Sequence, residues 1–227
     1  MSTIFITGAN RGLGFEFAKQ YAADGWRVIA ACRDPAKAEA LSAVEGDVQV
    51  ETMDVDDDAS VASLSDKLKD EAIDLLINNA GIYGPKHLSA EDMDYEAWGR
   101  VLRTNTMSPF RVTMAFLQQV RNSDQKIIAT LSSKMGSLNE NQDGGEYIYR
   151  SSKAALNAAL KGLSYDLADA GIRIVLMHPG WASTDMGGPS APLLPADGVA
   201  GLRKVLAGIK DGETGVFYDY NGGELAW

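Results

Sequence analysis

A strand, a glycine-rich turn and a helix are expected in immediate succession at the start of the chain, and this succession limits the fold more than any other feature. Residues 4–6 are apolar, the turn has the spacing Gly8-x-x-x-Gly12-x-Gly14, and an apolar pattern of helical period follows. Such glycines let the backbone approach a pyrophosphate, and the first helical turn offers it unpaired N–H groups. The pattern indicates a dinucleotide-binding loop; a tight turn without a ligand is the alternative.

Six further apolar runs of strand length follow, and helical patterns separate most of them. They lie near residues 28–32, 48–51, 73–77, 126–131, 172–177 and 214–218. Strands that alternate with helices indicate a doubly wound parallel sheet with right-handed crossovers. The expected fold class is therefore α/β, with residues 1–227 in a single Rossmann-type domain of about seven parallel strands and helices on both faces of the sheet.

Charge and cysteine content exclude several classes of protein. A net charge of −10 and a pI near 4.7 argue against a protein that binds nucleic-acid phosphates through a basic face. No apolar run approaches the roughly 20 residues of a membrane span, and the N-terminus shows no basic leader. The single cysteine, Cys32, excludes an internal disulfide, which fits a reducing compartment. The chain is expected to be cytoplasmic, without nucleic-acid, membrane or metal partners.

A tyrosine and a lysine stand four positions apart at the start of the longest helical pattern. Residues at this spacing share one helix face, so the Tyr149 phenol and the Lys153 ammonium can face the same cleft. A cation about 4 Å away, at an effective dielectric constant of about 20, would stabilise the phenolate by about 4 kcal/mol. We therefore expect Lys153 to lower the pKa of Tyr149 and make it a general acid/base. A solvated helix face is the alternative.

The residues after the second strand bear on the choice of dinucleotide. A carboxylate at this strand end would bind the ribose of NAD, whereas an arginine accommodates the 2′-phosphate of NADP. Alignment of the strand ends puts Cys32 at the place of the acid and Arg33 directly after it. Arg11 in the glycine turn is a second candidate cation, and Asp34, one or two positions late, is the competitor. The pattern favours NADP(H) over NAD(H).

Polar and small residues also follow three other predicted strands. They occupy residues 78–81, 132–133 and 179–184. The carboxyl ends of parallel strands meet at one edge of a sheet, where such sheets bind ligands. Asn105 lies at the joint of two helices predicted within residues 91–122, a position where asparagine is disfavoured unless its polar groups are used locally. Each feature alone could be a turn or a cap, but their convergence predicts a dinucleotide enzyme.

Taken together, these motifs resemble the short-chain dehydrogenase/reductase family over nearly the whole chain. The matching residues are Thr7-Gly-Ala-Asn-Arg-Gly-Leu-Gly14, Asn78-Asn-Ala-Gly81, Asn105, Ser133, Tyr149-x-x-x-Lys153 and Pro179-Gly-x-x-x-Thr184. Residues 132–137, 143–145 and 178–181 are most similar to the sniffer/C-factor carbonyl reductase branch. The resemblance implies an oxidoreductase that reduces an aldehyde, ketone or quinone carbonyl to an alcohol with NADP(H).

The resemblance also implies a role for each matching residue. Tyr149 would protonate the carbonyl oxygen and Ser133, which begins a Ser-x-x-Gly tract, would hydrogen-bond it. Lys153 would lower the tyrosine pKa and hold the nicotinamide ribose, and Asn105 would position a relay water. Thr184 would bind the carboxamide, Asp54 the adenine amino group and Asn79 the adenine ribose region. The cofactor-binding residues implied in this way are Gly8, Asn10, Arg11, Gly12, Leu13, Gly14, Arg33, Asp54, Val55, Asn79, Ala80, Gly81, Tyr149, Lys153, Pro179, Gly180, Trp181 and Thr184.

Two other functions stay open at this point. One is an NADP-binding signalling or redox-sensing protein with little turnover, although sensors tend to lose the tyrosine or the lysine, and both are present. The other is an NAD-dependent alcohol dehydrogenase, if Asp34 outweighs Arg33. The substrate pocket is expected between residues 83–95, 138–147 and 182–197, with residues 182–198 as a flap. Pairing through helices at residues 105–122 and 150–169, as in the family, would give a homodimer or homotetramer.

Overall fold

Seven parallel strands form one sheet in the computed structural model, which describes residues 1–227. The strands are β1 (Thr3–Thr7), β2 (Arg27–Cys32), β3 (Val48–Thr52), β4 (Leu75–Asn78), β5 (Ile127–Leu131), β6 (Arg173–His178) and β7 (Val216–Asp219). Their order across the sheet is β3-β2-β1-β4-β5-β6-β7. The winding direction reverses between β1 and β4, the position at which sheets of this kind bind ligands. The predicted doubly wound α/β fold is confirmed.

Helices cover both faces of the sheet. They are α1 (Gly12–Ala23), α2 (Glu39–Ser42), α3 (Asp58–Lys67), α4 (Tyr95–Leu102), α5 (Ser108–Ala115), α6 (Leu117–Arg121), α7 (Tyr147–Asp166) and α8 (Pro195–Gly208). Successive side chains of a strand point to opposite faces. Ile4 and Ile6 of β1 therefore pack with α1 and α8, whereas Phe5 packs with α3, α5 and α7. No helix is both long and apolar enough to cross a membrane.

Three boundaries differ from the sequence-based expectation. The helical stretch predicted around Asn105 is divided by a π-helical turn, Arg103–Met107, that lies between α4 and α5. The helix α7 ends at Asp166 rather than at residue 169, and a short 3-10 turn follows it. The predicted flap ends at residue 194, because α8 begins at Pro195. Proline suits this position because the N–H groups of the first helical turn have no partner within the helix. The irregular connection after β6 is therefore shorter than expected.

Candidate active site

The glycine turn joins β1 to α1 at the carboxyl edge of the sheet. Gly8 and Gly12 adopt φ values of +64° and +56°, in the left-handed region that favours glycine. A Cβ atom at Gly14 would lie 2.4 Å from the carbonyl oxygen of Gly8, so this close approach also requires glycine. The Arg11 side chain does not cap the first N–H groups of α1. Those groups can therefore receive a phosphate.

Asn79 ties the end of β4 to the glycine turn. Its side-chain nitrogen donates to the carbonyl oxygens of Thr7, at 2.8 Å, and Gly8, at 3.0 Å. The Thr7 hydroxyl oxygen accepts from the backbone N–H groups of Asn79 and Ala80, each at 3.0 Å. The amide nitrogen of Asn79, expected near an adenine ribose, thus holds the turn in place. This role of Thr7 was not expected from the sequence, although its position directly before Gly8 could have indicated it.

The charged residues near the glycine turn differ in their partners. Asp34 pairs with Lys37 at 2.8 Å, and the hydrogen bond from Lys37 lowers the pKa of the Asp34 carboxyl. Arg33, directly after β2, is exposed and forms no ion pair. Arg11 pairs with Asp185 of the connection after β6 at 2.5 Å. Lys37 thus competes for the carboxylate that would bind a ribose hydroxyl, while Arg33 is available to a phosphate.

Asp56 anchors the π-helical turn. Its carboxylate accepts hydrogen bonds from the hydroxyls of Thr104 and Ser108, each at 2.6 Å. Asp54, expected to bind an adenine amino group, lies beside it and accepts from the Asp56 N–H at 3.0 Å. The next residue, Asp57, caps α3, whereas Asp56 binds the hydroxyls of the π-helical turn.

Asn105 is fully buried in the π-helical turn and holds the segment after β4. Its side chain accepts from the N–H of Ile82 at 2.9 Å and donates to the carbonyl oxygen of Ile82 at 2.8 Å. It also donates to the Ser152 hydroxyl at 3.0 Å, a contact that sequence analysis missed. A Cβ atom at Gly81 would lie 3.2 Å from Asn105 Oδ1 and 3.8 Å from Lys153 Nζ. Asn105 and Lys153 therefore both flank Gly81.

Ser133, Tyr149 and Lys153 come together beside this segment, all three buried. The Ser133 hydroxyl oxygen accepts from the N–H of Met135 at 3.1 Å. Lys153 Nζ donates to the carbonyl oxygen of Leu131 at 2.8 Å and lies 5.9 Å from the centroid of the Tyr149 ring. The four residues implied as a catalytic tetrad thus share one cleft at the carboxyl edge of the sheet.

Burial shifts the pKa values of the two ionisable side chains in this cleft, Tyr149 and Lys153. It raises the pKa of Tyr149 to about 12, although a hydrogen bond with Ser133 acts in the opposite direction. Burial also lowers the pKa of Lys153 to about 8. Lys153 was expected to lower the pKa of Tyr149; the net shift is upward because burial is the largest effect, and Lys153 Nζ donates to the Leu131 carbonyl oxygen. Tyr149 is protonated at neutral pH and can donate a proton.

The connection after β6 lies next to the glycine turn. A Cβ atom at Gly12 would lie 3.4 Å from Thr184 Cγ2. Gly180 has a φ of +75°, and a Cβ atom there would lie 2.5 Å from the Leu193 side chain, so the chain can turn at this point only with glycine. The Trp181 indole donates to a backbone carbonyl of the same connection at 2.8 Å. The connection thus lies against the start of α1 at the glycine turn.

Comparisons with known proteins agree with this geometry. The family model described as short chain dehydrogenase matches residues 2–192. The chain is 45% identical over 155 residues to C-signal of Myxococcus xanthus, across 68% of this chain and 93% of that protein. The structure of carbonyl reductase Sniffer of D. melanogaster superposes with a TM-score of 0.92 at 32% identity, over 100% of both chains. NADPH-bound carbonyl reductase from chicken fatty liver superposes with a TM-score of 0.90 at 31% identity, over 100% of this chain and 99% of that chain. The chain therefore belongs to the short-chain dehydrogenase/reductase family of oxidoreductases, in its sniffer/C-factor-like branch.

Proposed function

We propose that this protein is an NADP(H)-dependent reductase that converts an aldehyde, ketone or quinone carbonyl to an alcohol. The observation that carries the proposal is a protonated, buried Tyr149 beside Ser133, at the sheet edge that also bears the glycine turn. Similar carbonyl reductases were solved with NADP or NADPH bound. A reduced nicotinamide dinucleotide, when bound, supplies the hydride for such a reaction.

The residues at the sheet edge fit this cofactor. The uncapped start of α1 suits a pyrophosphate, and Arg33 suits the additional phosphate of NADP, since Asp34 is engaged by Lys37. Arg11 would have to leave Asp185 in order to contribute as well. We assign cofactor binding to the glycine turn, Arg33, residues 54–55 and 79–81, Tyr149, Lys153, residues 179–181 and Thr184.

The side chains of the cleft would then stabilise the charge that develops on the substrate oxygen. Tyr149 donates its phenolic proton to the carbonyl oxygen, and the Ser133 hydroxyl donates a second hydrogen bond. Lys153, with a pKa of about 8, is largely charged at neutral pH and offsets the negative charge left on Tyr149. Asn105 holds the segment at Gly81 so that these groups keep their positions.

The experiment that tests this function measures NADPH oxidation against a panel of aldehydes, ketones and quinones, with NADH in parallel. Wild type is expected to turn over at least one substrate class. Tyr149→Phe should lose about a hundredfold or more in kcat, because it removes the proton donor, and should still bind NADPH. Tyr165→Phe, a 66% exposed tyrosine of the same helix, is the matched control and should keep full activity. An active Tyr149→Phe variant would contradict the assignment.

A second candidate is an NADP-binding signalling protein with little turnover. The 45% identity to a protein named C-signal favours it. The same experiment separates the two functions. If wild type and Tyr149→Phe both bind NADPH tightly and neither turns over any carbonyl, the signalling role is the better account.

A further inference from the structure

We infer that Tyr83 is a positioning residue for Tyr149, which it holds in the orientation needed for proton donation by stacking on its ring. This inference rests on the proposed reductase function. The two rings are nearly parallel, at an angle of 14°, and their centroids lie 4.2 Å apart. At that separation no water layer fits between them, so Tyr83 covers one face of the catalytic phenol. Sequence analysis placed Tyr83 only in the wall of the substrate pocket.

The backbone on both sides of Tyr83 is held in place. Ile82 immediately precedes Tyr83, and its backbone forms two hydrogen bonds with the side chain of Asn105, at 2.8 and 2.9 Å. Gly84, the residue immediately after, has a φ of +81°, and a Cβ atom there would lie 2.7 Å from the side chain of Val101. Tyr83 is therefore a fixed part of the cleft rather than the tip of a free loop.

The hydroxyl end of Tyr83 is also held. It lies 3.7 Å from the sulfur of Met135, two residues after Ser133. Burial and the neighbouring Glu146 carboxylate raise the pKa of Tyr83 to about 12, so its ring carries no charge at neutral pH. Glu146 directly precedes α7, where it adopts a left-handed φ of +47°. Tyr83 thus contacts the Ser133 segment and the start of the helix that carries Tyr149.

This arrangement matters because Tyr149 has to reach the substrate oxygen together with Ser133. A phenol ring can swing about two side-chain torsions unless its faces are packed. Displacement of a catalytic group by about 1 Å can cost roughly a hundredfold in rate. A stacked ring restrains this movement without occupying the hydroxyl of Tyr149, which stays available to Ser133 and the substrate. The contact therefore affects kcat rather than cofactor binding.

Two substitutions test the role of the ring. Tyr83→Leu removes the flat surface but keeps apolar bulk, and kcat is expected to fall about tenfold to a hundredfold with NADPH affinity within about twofold of wild type. Tyr83→Phe keeps the ring and should remain within about threefold of wild type. Tyr165→Leu, at a 66% exposed tyrosine outside the expected substrate pocket, is the matched control and should change neither quantity.

A spectroscopic measurement accompanies the kinetics. The ring-proton NMR signals of Tyr149, assigned by comparison with Tyr149→Phe, should be displaced by the ring current of Tyr83 in wild type and Tyr83→Phe and return toward ordinary positions in Tyr83→Leu. Two outcomes with an active wild type would overturn the positioning role alone. One is a kcat of Tyr83→Leu equal to that of wild type, and the other is an equal loss of kcat in Tyr83→Phe and Tyr83→Leu. A wild type that turns over no carbonyl contradicts the proposed function, and the positioning role falls with it.

Discussion

Gly81 and Gly136 keep the side chains of the candidate tetrad close together because they have no side chains of their own. A Cβ atom at Gly136 would lie 2.8 Å from the Cβ and the backbone carbon of Lys153. Gly136 therefore lets α7 approach the end of β5, and this approach buries Lys153 within reach of the Leu131 carbonyl. At the residue scale, the low pKa of the lysine and the high pKa of the tyrosine both result from this close packing.

We expect the choice of cofactor to depend most directly on Arg33. Arg33→Ala is expected to weaken NADPH binding about tenfold, because a charge-assisted contact with the 2′-phosphate is lost, and to leave NADH binding nearly unchanged. Fluorescence titration with each nucleotide measures this difference. Arg121→Ala, at another exposed arginine, is the control. Equal losses for the two nucleotides would remove the NADP assignment and support an NAD-dependent alcohol dehydrogenase.

At the scale of elements, the π-helical turn between α4 and α5 determines where Asn105 points. A π turn inserts an extra residue into a helix and often occurs at functional sites. Here the turn is held at Thr104 and Ser108 by Asp56, and Asn105 in its centre reaches Ile82. The ends of β3 and β4 are thus connected through a single helical turn, and the segment bearing Tyr83 depends on it.

Asp56→Ala tests this connection. The buried hydroxyls of Thr104 and Ser108 would lose their acceptor, so the free energy of unfolding should fall by about 2 kcal/mol. The kcat should also fall, because the turn that carries Asn105 is no longer held. Urea denaturation and steady-state kinetics measure these effects. Asp66→Ala, at an exposed aspartate of α3, should stay within about 0.5 kcal/mol of wild type. If the two variants unfold at the same urea concentration, the anchoring role of Asp56 is wrong.

At the scale of the whole molecule, α5 and the last residue of the π-helical turn before it leave an apolar face uncovered. Met107, Phe110 and Met114 are 58%, 38% and 43% exposed and recur at helical spacing along one side. Exposed apolar patches of this kind often mark contacts between proteins. They lie on one of the helices through which the family resemblance implies subunit pairing. A homodimer or homotetramer therefore stays our prediction.

Light scattering measures the assembly directly. Wild type should have at least twice the monomer mass of 24.3 kDa. Met114→Glu places a charge on the apolar face and should shift the mass toward the monomer, whereas Leu194→Glu, at a 61% exposed leucine outside this face, should not. A wild type with the monomer mass would refute the prediction.

The amino-acid sequence by itself determined the order of strands and helices and the glycine turn, and it predicts the positions of a candidate catalytic tetrad. Parallel strands buried on both faces contain nearly continuous apolar runs, as in residues 4–6 of the fully buried strand β1, and helices have a different period, so both are readable from local patterns. Ser133 and Lys153 could be predicted as site residues because family motifs are continuous in sequence. The predicted ends of strands and helices differ from the observed ones by a few residues. The fourth strand, for example, was expected at 73–77 and is found at Leu75–Asn78.

Only the tertiary structure decided the roles of Asp56 and Tyr83 and the direction of the Tyr149 pKa shift. Asp56 lies 48 residues from Thr104 in sequence, so no local pattern links them. The spacing of Tyr149 and Lys153 indicated the attraction between them, but the opposing cost of burial depends on every segment that covers the phenol, Tyr83 included. Burial is a property of the assembled fold, and for this reason the sign of the shift could not be read from four neighbouring residues.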